Sequence, residues 1–130
     1  MAYMPHYTKH NSDERNNMPY LTVYTNVDAT DKNSLAEKAS SLTASLLRKP
    51  ESYVITNIIY NPHMAFGGSC QNKGALVELK SIGLGDKDKF VAELTSLLAD
   101  QLQINKTQYI AITLTDAPAS YTACGGRTFG

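Results

Sequence analysis

A chain of 130 residues is sized for one domain, and such a domain buries roughly 65 to 70 % of its unfolded surface in one modest core. Twelve Lys and Arg balance twelve Asp and Glu, and no basic run is longer than Arg48 and Lys49, so a phosphate-tracking surface, and with it a nucleic-acid partner, is not expected. No apolar run reaches the roughly 18 residues that cross a bilayer, and the N-terminus lacks the apolar stretch and cleavage site of a signal peptide, which predicts a cytoplasmic chain with no membrane partner.

Residues 1–17, "MAYMPHYTKHNSDERNN", are polar and without periodicity. They are expected to be an N-terminal extension, as tag, tail or assembly arm, ahead of a domain at 18–130. Residues 20–27 alternate, with Leu21, Val23 and Val27 on one face and Tyr20, Thr22 and Tyr24 on the other, which predicts a strand. Ser34 and Glu37 form a capping-box pattern, and Leu35, Ala39, Leu42 and Leu46 recur at helical spacing up to Pro50. The β-branched run at 52–60, "SYVITNIIY", predicts a second strand that is apolar on both faces and so wants cover on both.

After the Gly-rich loop "FGGSCQNKG" the pattern repeats. Ala75 to Ile82 reads as a strand, Asp86 offers a cap, Phe90, Val91, Leu94, Leu97, Leu98 and Leu102 line one helical face, and Tyr109 to Thr115 closes the unit with another strand. The chain is thus an α+β domain of two tandem βαβ units. Right-handed crossovers bring them into a four-stranded sheet with both helices on one face. The other face would leave an apolar patch in water, and its burial is expected in a small cyclic oligomer.

Cys70 and Cys124 lack any CxxC or His at ligand spacing and read as free thiols of a reducing compartment. His6, His10 and His63 show no ligand spacing either, so no metal is expected. The proline of Met18-Pro19 is the residue with the sharpest chemical alternative. Inside the chain its nitrogen is an amide without basicity; at the N-terminus it is a secondary amine. An α-amino group titrates near ~7.7 to 8.0 and is lowered by burial beside a cation, which suits a general base at neutral pH. As plain structure, Pro19 starts a strand, Lys49 complements a helix C-terminus, and Tyr53 and Ile82 are core.

"MPYLTVYTNV" at 18–27, "KPESYV" at 49–54, "MAFGG" at 64–68, "SIG" at 81–83 and the closing "TFG" at 128–130 resemble, in order, the macrophage migration inhibitory factor family of the tautomerase superfamily. The resemblance implies a homotrimer with pockets between subunits and a keto-enol tautomerase acting on small α-keto acids of the phenylpyruvate type, without metal or organic cofactor. It implies Pro19 as acid and base once it is the N-terminus, Lys49 as the substrate's carboxylate ligand, and Ile82 and Tyr53 at the pocket. A cytokine-like protein receptor and release from cells without a signal peptide belong to the same family pattern. The second reading is a catalytically silent binding or assembly protein whose extension caps Pro19.

Three positions depart from that pattern. The family's fourth-strand tyrosine falls on Ile110 or Ala111 and its asparagine on Ile112 or Thr113, with Tyr109 out of phase. Its C-terminal tryptophan is Cys124. Its CxxC falls on Gly74, Ala75, Leu76 and Val77, so a thiol-exchange activity is not expected.

Overall fold

The computed structural model describes residues 18–130; the proposed extension at 1–17 lies outside the described residues. Strand β1 (Tyr20–Thr25) is followed by helix α1 (Lys32–Leu47) and β2 (Ile55–Tyr60), then by β3 (Ala75–Ser81), α2 (Lys87–Leu102) and β4 (Ile110–Asp116), and a short hairpin, β5 (Ala123–Cys124) with β6 (Arg127–Thr128), ends the chain. The sheet order is β2-β1-β3-β4. The pairs β1·β2 and β3·β4 are parallel, and β1·β3 is antiparallel. Each βαβ unit therefore contributes one edge and one central strand, as the repeat requires.

The core lies between the sheet and the two helices. Phe90, Leu94 and Leu98 of α2 are fully buried against Leu21, Val23 and Val77, and each such side chain contributes about 1.5 to 3 kcal/mol of transfer free energy. On α1 the buried line runs Leu35, Ala39, Thr43 and Leu47, so the expected Leu42 and Leu46 only flank it. Spacings of four keep the line on one face, and Thr43, a polar type, hid its last part from the apolar pattern.

Both helices start at an aspartate. Asp31 accepts the Ser34 amide at 2.9 Å and Asp86 the Lys89 amide at 3.1 Å. The expected capping box at Ser34 is thus corrected: Ser34 is the third helical residue and supplies the N–H, while the Asp31 carboxylate also gains from the helix dipole. Both helices stop alike, at Arg48 (φ 56) and Gln103 (φ 54) in the left-handed region. The next amides, of Lys49 and Ile104, return to Ala44 and Ala99 carbonyls, each at 2.9 Å.

Strand boundaries shift for local reasons. β1 ends at Thr25 because the Val27 amide turns back to Thr25 Oγ1 at 3.1 Å. Tyr53, expected in the second strand, closes the 3-10 turn Glu51–Tyr53, its amide bonding the Pro50 carbonyl at 3.0 Å. Proline at 50 presets that turn. Tyr109 likewise ends a 3-10 turn, Thr107–Tyr109, before β4.

β2 is an edge strand covered on one face only, where Thr56 Oγ1 donates to the Ala36 carbonyl of α1 at 3.0 Å. On the open face the register sets Ile59, Tyr24, Leu76 and Ala111 in one row, and Ile55, Tyr20, Lys80 and Thr115 in another. Ile55 remains 47 % exposed and Leu76 40 %. Among the described residues no helix is long and apolar enough to cross a membrane.

Candidate functional site

Pro19, Lys49, Tyr53 and Ile82 come from four separate segments, and the fold brings those segments to one end of the sheet. Pro19 immediately precedes β1, and its carbonyl accepts the Ile55 amide at 3.0 Å. That bond sets the start of β2, and with it the turn carrying Tyr53, beside Pro19. On the other side β1 is antiparallel to β3, with Tyr20 opposite Lys80, so one step further the register sets Pro19 opposite Ser81. Ile82 follows directly. Both Met18 and Pro19 are buried, and the Met18 carbonyl makes the Pro19 nitrogen an amide.

Lys49 enters from the end of α1. The left-handed cap at Arg48 turns the chain sharply, and the Lys49 ammonium donates to the Ile82 carbonyl at 2.9 Å. The half-buried cation is thereby fixed beside the residue that follows Pro19's cross-strand partner. The structure thus joins Lys49 to Ile82 by a direct bond and joins Pro19 to both through the β1·β3 register.

The Ser81–Gly83 corner is held by a feature that no local pattern in the sequence reveals. Ser81 is the parallel-strand partner of Asp116. The Ser81 carbonyl accepts the Ala117 amide at 2.8 Å, and the Gly83 amide donates to Asp116 Oδ1 at 2.9 Å. Gly83 has φ +82, a conformation that strains any side-chain-bearing residue. The Ser81 hydroxyl is fully buried and has no hydrogen-bond partner.

The fourth-strand positions divide by face. Ile110 is buried and Ile112 packs against the core, whereas Ala111 and Thr113 lie exposed on the open face. Tyr109 is at the opposite end of the sheet, since β4 begins beside Ala75 and Ala75 beside Thr25. Its ring packs on Phe66, centroids 6.2 Å apart. Cys70 and Cys124 are exposed free thiols, and His63 is a surface loop residue. Among the described residues no three His, Cys, Asp or Glu side chains are grouped to hold a metal ion. A groove between α1 and α2, lined by Ser34, Glu37, Leu42 and Leu97, contains none of the four candidate residues.

The family model described as macrophage migration inhibitory factor (MIF) matches residues 18–130. A macrophage migration inhibitory factor homolog of Brugia malayi is 41 % identical over 117 residues, covering 87 % of this chain and all of the relative. One of Wuchereria bancrofti is 38 % identical with the same coverage. Among solved structures, the homologue from Prochlorococcus marinus superposes with a TM-score of 0.76 at 35 % identity, over 85 % of this chain and 99 % of that one. The Trichinella spiralis protein gives 0.77 at 29 % identity, over 84 % and 98 %.

Proposed function

The chain belongs to the macrophage migration inhibitory factor family, and on that premise we propose that it is a keto-enol tautomerase of small α-keto acids of the phenylpyruvate type, with Pro19 as acid and base once Pro19 is the N-terminus. The observation that carries this reading is the Lys49 ammonium 2.9 Å from the carbonyl of Ile82, the residue after the one the β1·β3 register sets opposite Pro19. A cation fixed beside the start of β1 suits a substrate carboxylate, and it favours the neutral, basic form of a nearby amine.

The chemistry needs only protein groups. A free Pro19 nitrogen removes the proton from the carbon next to the keto group, a carbon-carbon double bond forms, and the carbonyl electron pair moves to oxygen, which takes up a proton. Ketonisation is the reverse: Pro19 returns a proton to carbon while the enol hydroxyl loses its own. Lys49 pairs with the carboxylate throughout and orients the reacting carbon. Tyr53 and Ile82 wall the pocket.

The assembly in this reading is a homotrimer whose subunits cover one another's open sheet faces, with pockets between neighbours to which Ala111 and Thr113 would contribute in place of tyrosine and asparagine. Exposed Cys70 and Cys124 suit a reducing compartment such as the cytoplasm.

A silent binding or assembly protein is the second reading, and the amide link from buried Met18 to Pro19 favours it. N-terminal sequencing of the natural protein separates the two. A mature chain starting at Pro19 supports the enzyme, and Pro19→Gly in that chain should slow phenylpyruvate ketonisation by about 10² or more. An unchanged rate, or a natural chain that keeps residues ahead of Pro19, overturns it.

A further inference from the structure

The peptide group between Ile82 and Gly83 is engaged at both ends. Its carbonyl accepts the Lys49 ammonium at 2.9 Å, and its N–H donates to Asp116 Oδ1 at 2.9 Å. In a trans peptide these two groups point in opposite directions, so the plane is stretched between a cation on one side and a carboxylate on the other. Each bond polarises the unit in the sense that strengthens the other. The neighbouring Ala117 amide, bonded to the Ser81 carbonyl at 2.8 Å, pins the corner from the same strand end.

Gly83 makes this hold necessary. With no side chain and φ +82, the 82–83 peptide turns over at small steric cost, because glycine populates both signs of φ. A turned peptide would aim its N–H, and not its carbonyl, at Lys49. The ammonium would lose the Ile82 carbonyl as an acceptor and face a partial positive charge there. Asp116 is the exposed last residue of β4, and its Oδ1 is the acceptor that the Gly83 amide uses.

We propose that Asp116 is a positioning residue for Lys49: by accepting the Gly83 amide it keeps the Ile82 carbonyl turned to the lysine, and so sets where the carboxylate-binding cation stands. The consequence for substrate binding rests on the tautomerase reading above; the positioning itself does not. Asp116 reaches no substrate in this scheme. It acts through one peptide group.

The test uses Asp116→Leu, which lacks an acceptor, Asp116→Ala, which breaks the bond without added bulk, and Asp116→Asn, which retains an acceptor oxygen. In the full chain, amide exchange at Gly83 and acylation of Lys49 by an N-hydroxysuccinimide acetate, read by mass spectrometry, should both rise about ten-fold in Leu and Ala, the scale of one lost charge-assisted bond. Asn should restore most of the protection. In the chain beginning at Pro19, Leu and Ala should raise KM for phenylpyruvate about ten-fold, with kcat changed less than about two-fold.

Unchanged Gly83 exchange and Lys49 labelling in Leu and Ala would overturn the proposal, as would Asn behaving like Leu. A wild-type chain beginning at Pro19 with no tautomerase activity would instead overturn the function, and the exchange and labelling data would still decide the role of Asp116.

Discussion

Tyr109 closes over Gly67 so tightly that a Cβ placed on Gly67 would lie 2.5 Å from the phenol oxygen and 3.1 Å from the ring. Gly67 also has φ +61. Together these hold the Tyr109 ring on the loop at 61–74, at the other end of the sheet from Pro19. Gly67→Ala should destabilise the protein by about 1 to 3 kcal/mol, combining left-handed strain with overpacking. Urea unfolding reads this directly, and a loss under about 0.5 kcal/mol would mean that Tyr109 moves aside freely.

Lys49→Gln keeps a donor for the Ile82 carbonyl and removes the charge. In a chain beginning at Pro19 it should raise KM for phenylpyruvate about ten-fold or more, since a carboxylate then meets a neutral group. A drop in kcat at constant KM would assign Lys49 to proton transfer instead.

Thr43 Oγ1 is buried within α1 without a hydrogen-bond partner. Thr43→Val keeps the shape and removes the stranded hydroxyl at nearly equal helix propensity, so stability should rise by about 1 kcal/mol. Thermal unfolding of the two proteins makes the comparison. A clear loss of stability would mean that the hydroxyl is satisfied in solution.

The open-face row through Ile59 and Leu76 is 39 % and 40 % exposed at those two residues. Ile59→Lys with Leu76→Lys places two charges on that row and leaves the helix-facing core untouched. In light scattering the variant should fall to the mass of a single chain at concentrations where wild type is larger, because buried unpaired charge opposes association. Equal masses would move the subunit interface to another face.

Much of this architecture is readable along the chain. Phe90, Leu94, Leu98 and Leu102 stand at helical spacing behind Asp86, and local periodicity suffices for them. Asp31 lost out to the Ser34–Glu37 pattern because a capping box and an aspartate cap three residues earlier compete for the same signal. Pro50 announces a turn, yet the β-branched run behind it drew Tyr53 into the strand. Lys49, Pro19 and Ile82 enter as candidates through motifs, and the fold sets their segments at one end of the sheet. Asp116 is not, because its meaning depends on which residue β3 sets beside it, and strand pairing across the molecule leaves no mark on neighbouring residues.

The matched helix ends make the chain a near duplicate of itself in which only one copy carries the candidate residues. Where the first unit leaves its helix through Arg48 into Lys49, the second leaves through Gln103 into Ile104, a buried hydrocarbon. Where Ile82 follows β3, Asn26 follows β1, and its side chain ties down the long loop by bonding the Met64 and Asn72 carbonyls at 3.0 and 2.8 Å and the Gly74 amide at 3.1 Å. The second corner is a knot of hydrogen bonds where the first holds the Lys49 ammonium on the Ile82 carbonyl. Grafting a second cation at Ile104 would therefore produce no twin site, since the asparagine that would have to give way is the one that keeps the loop in place.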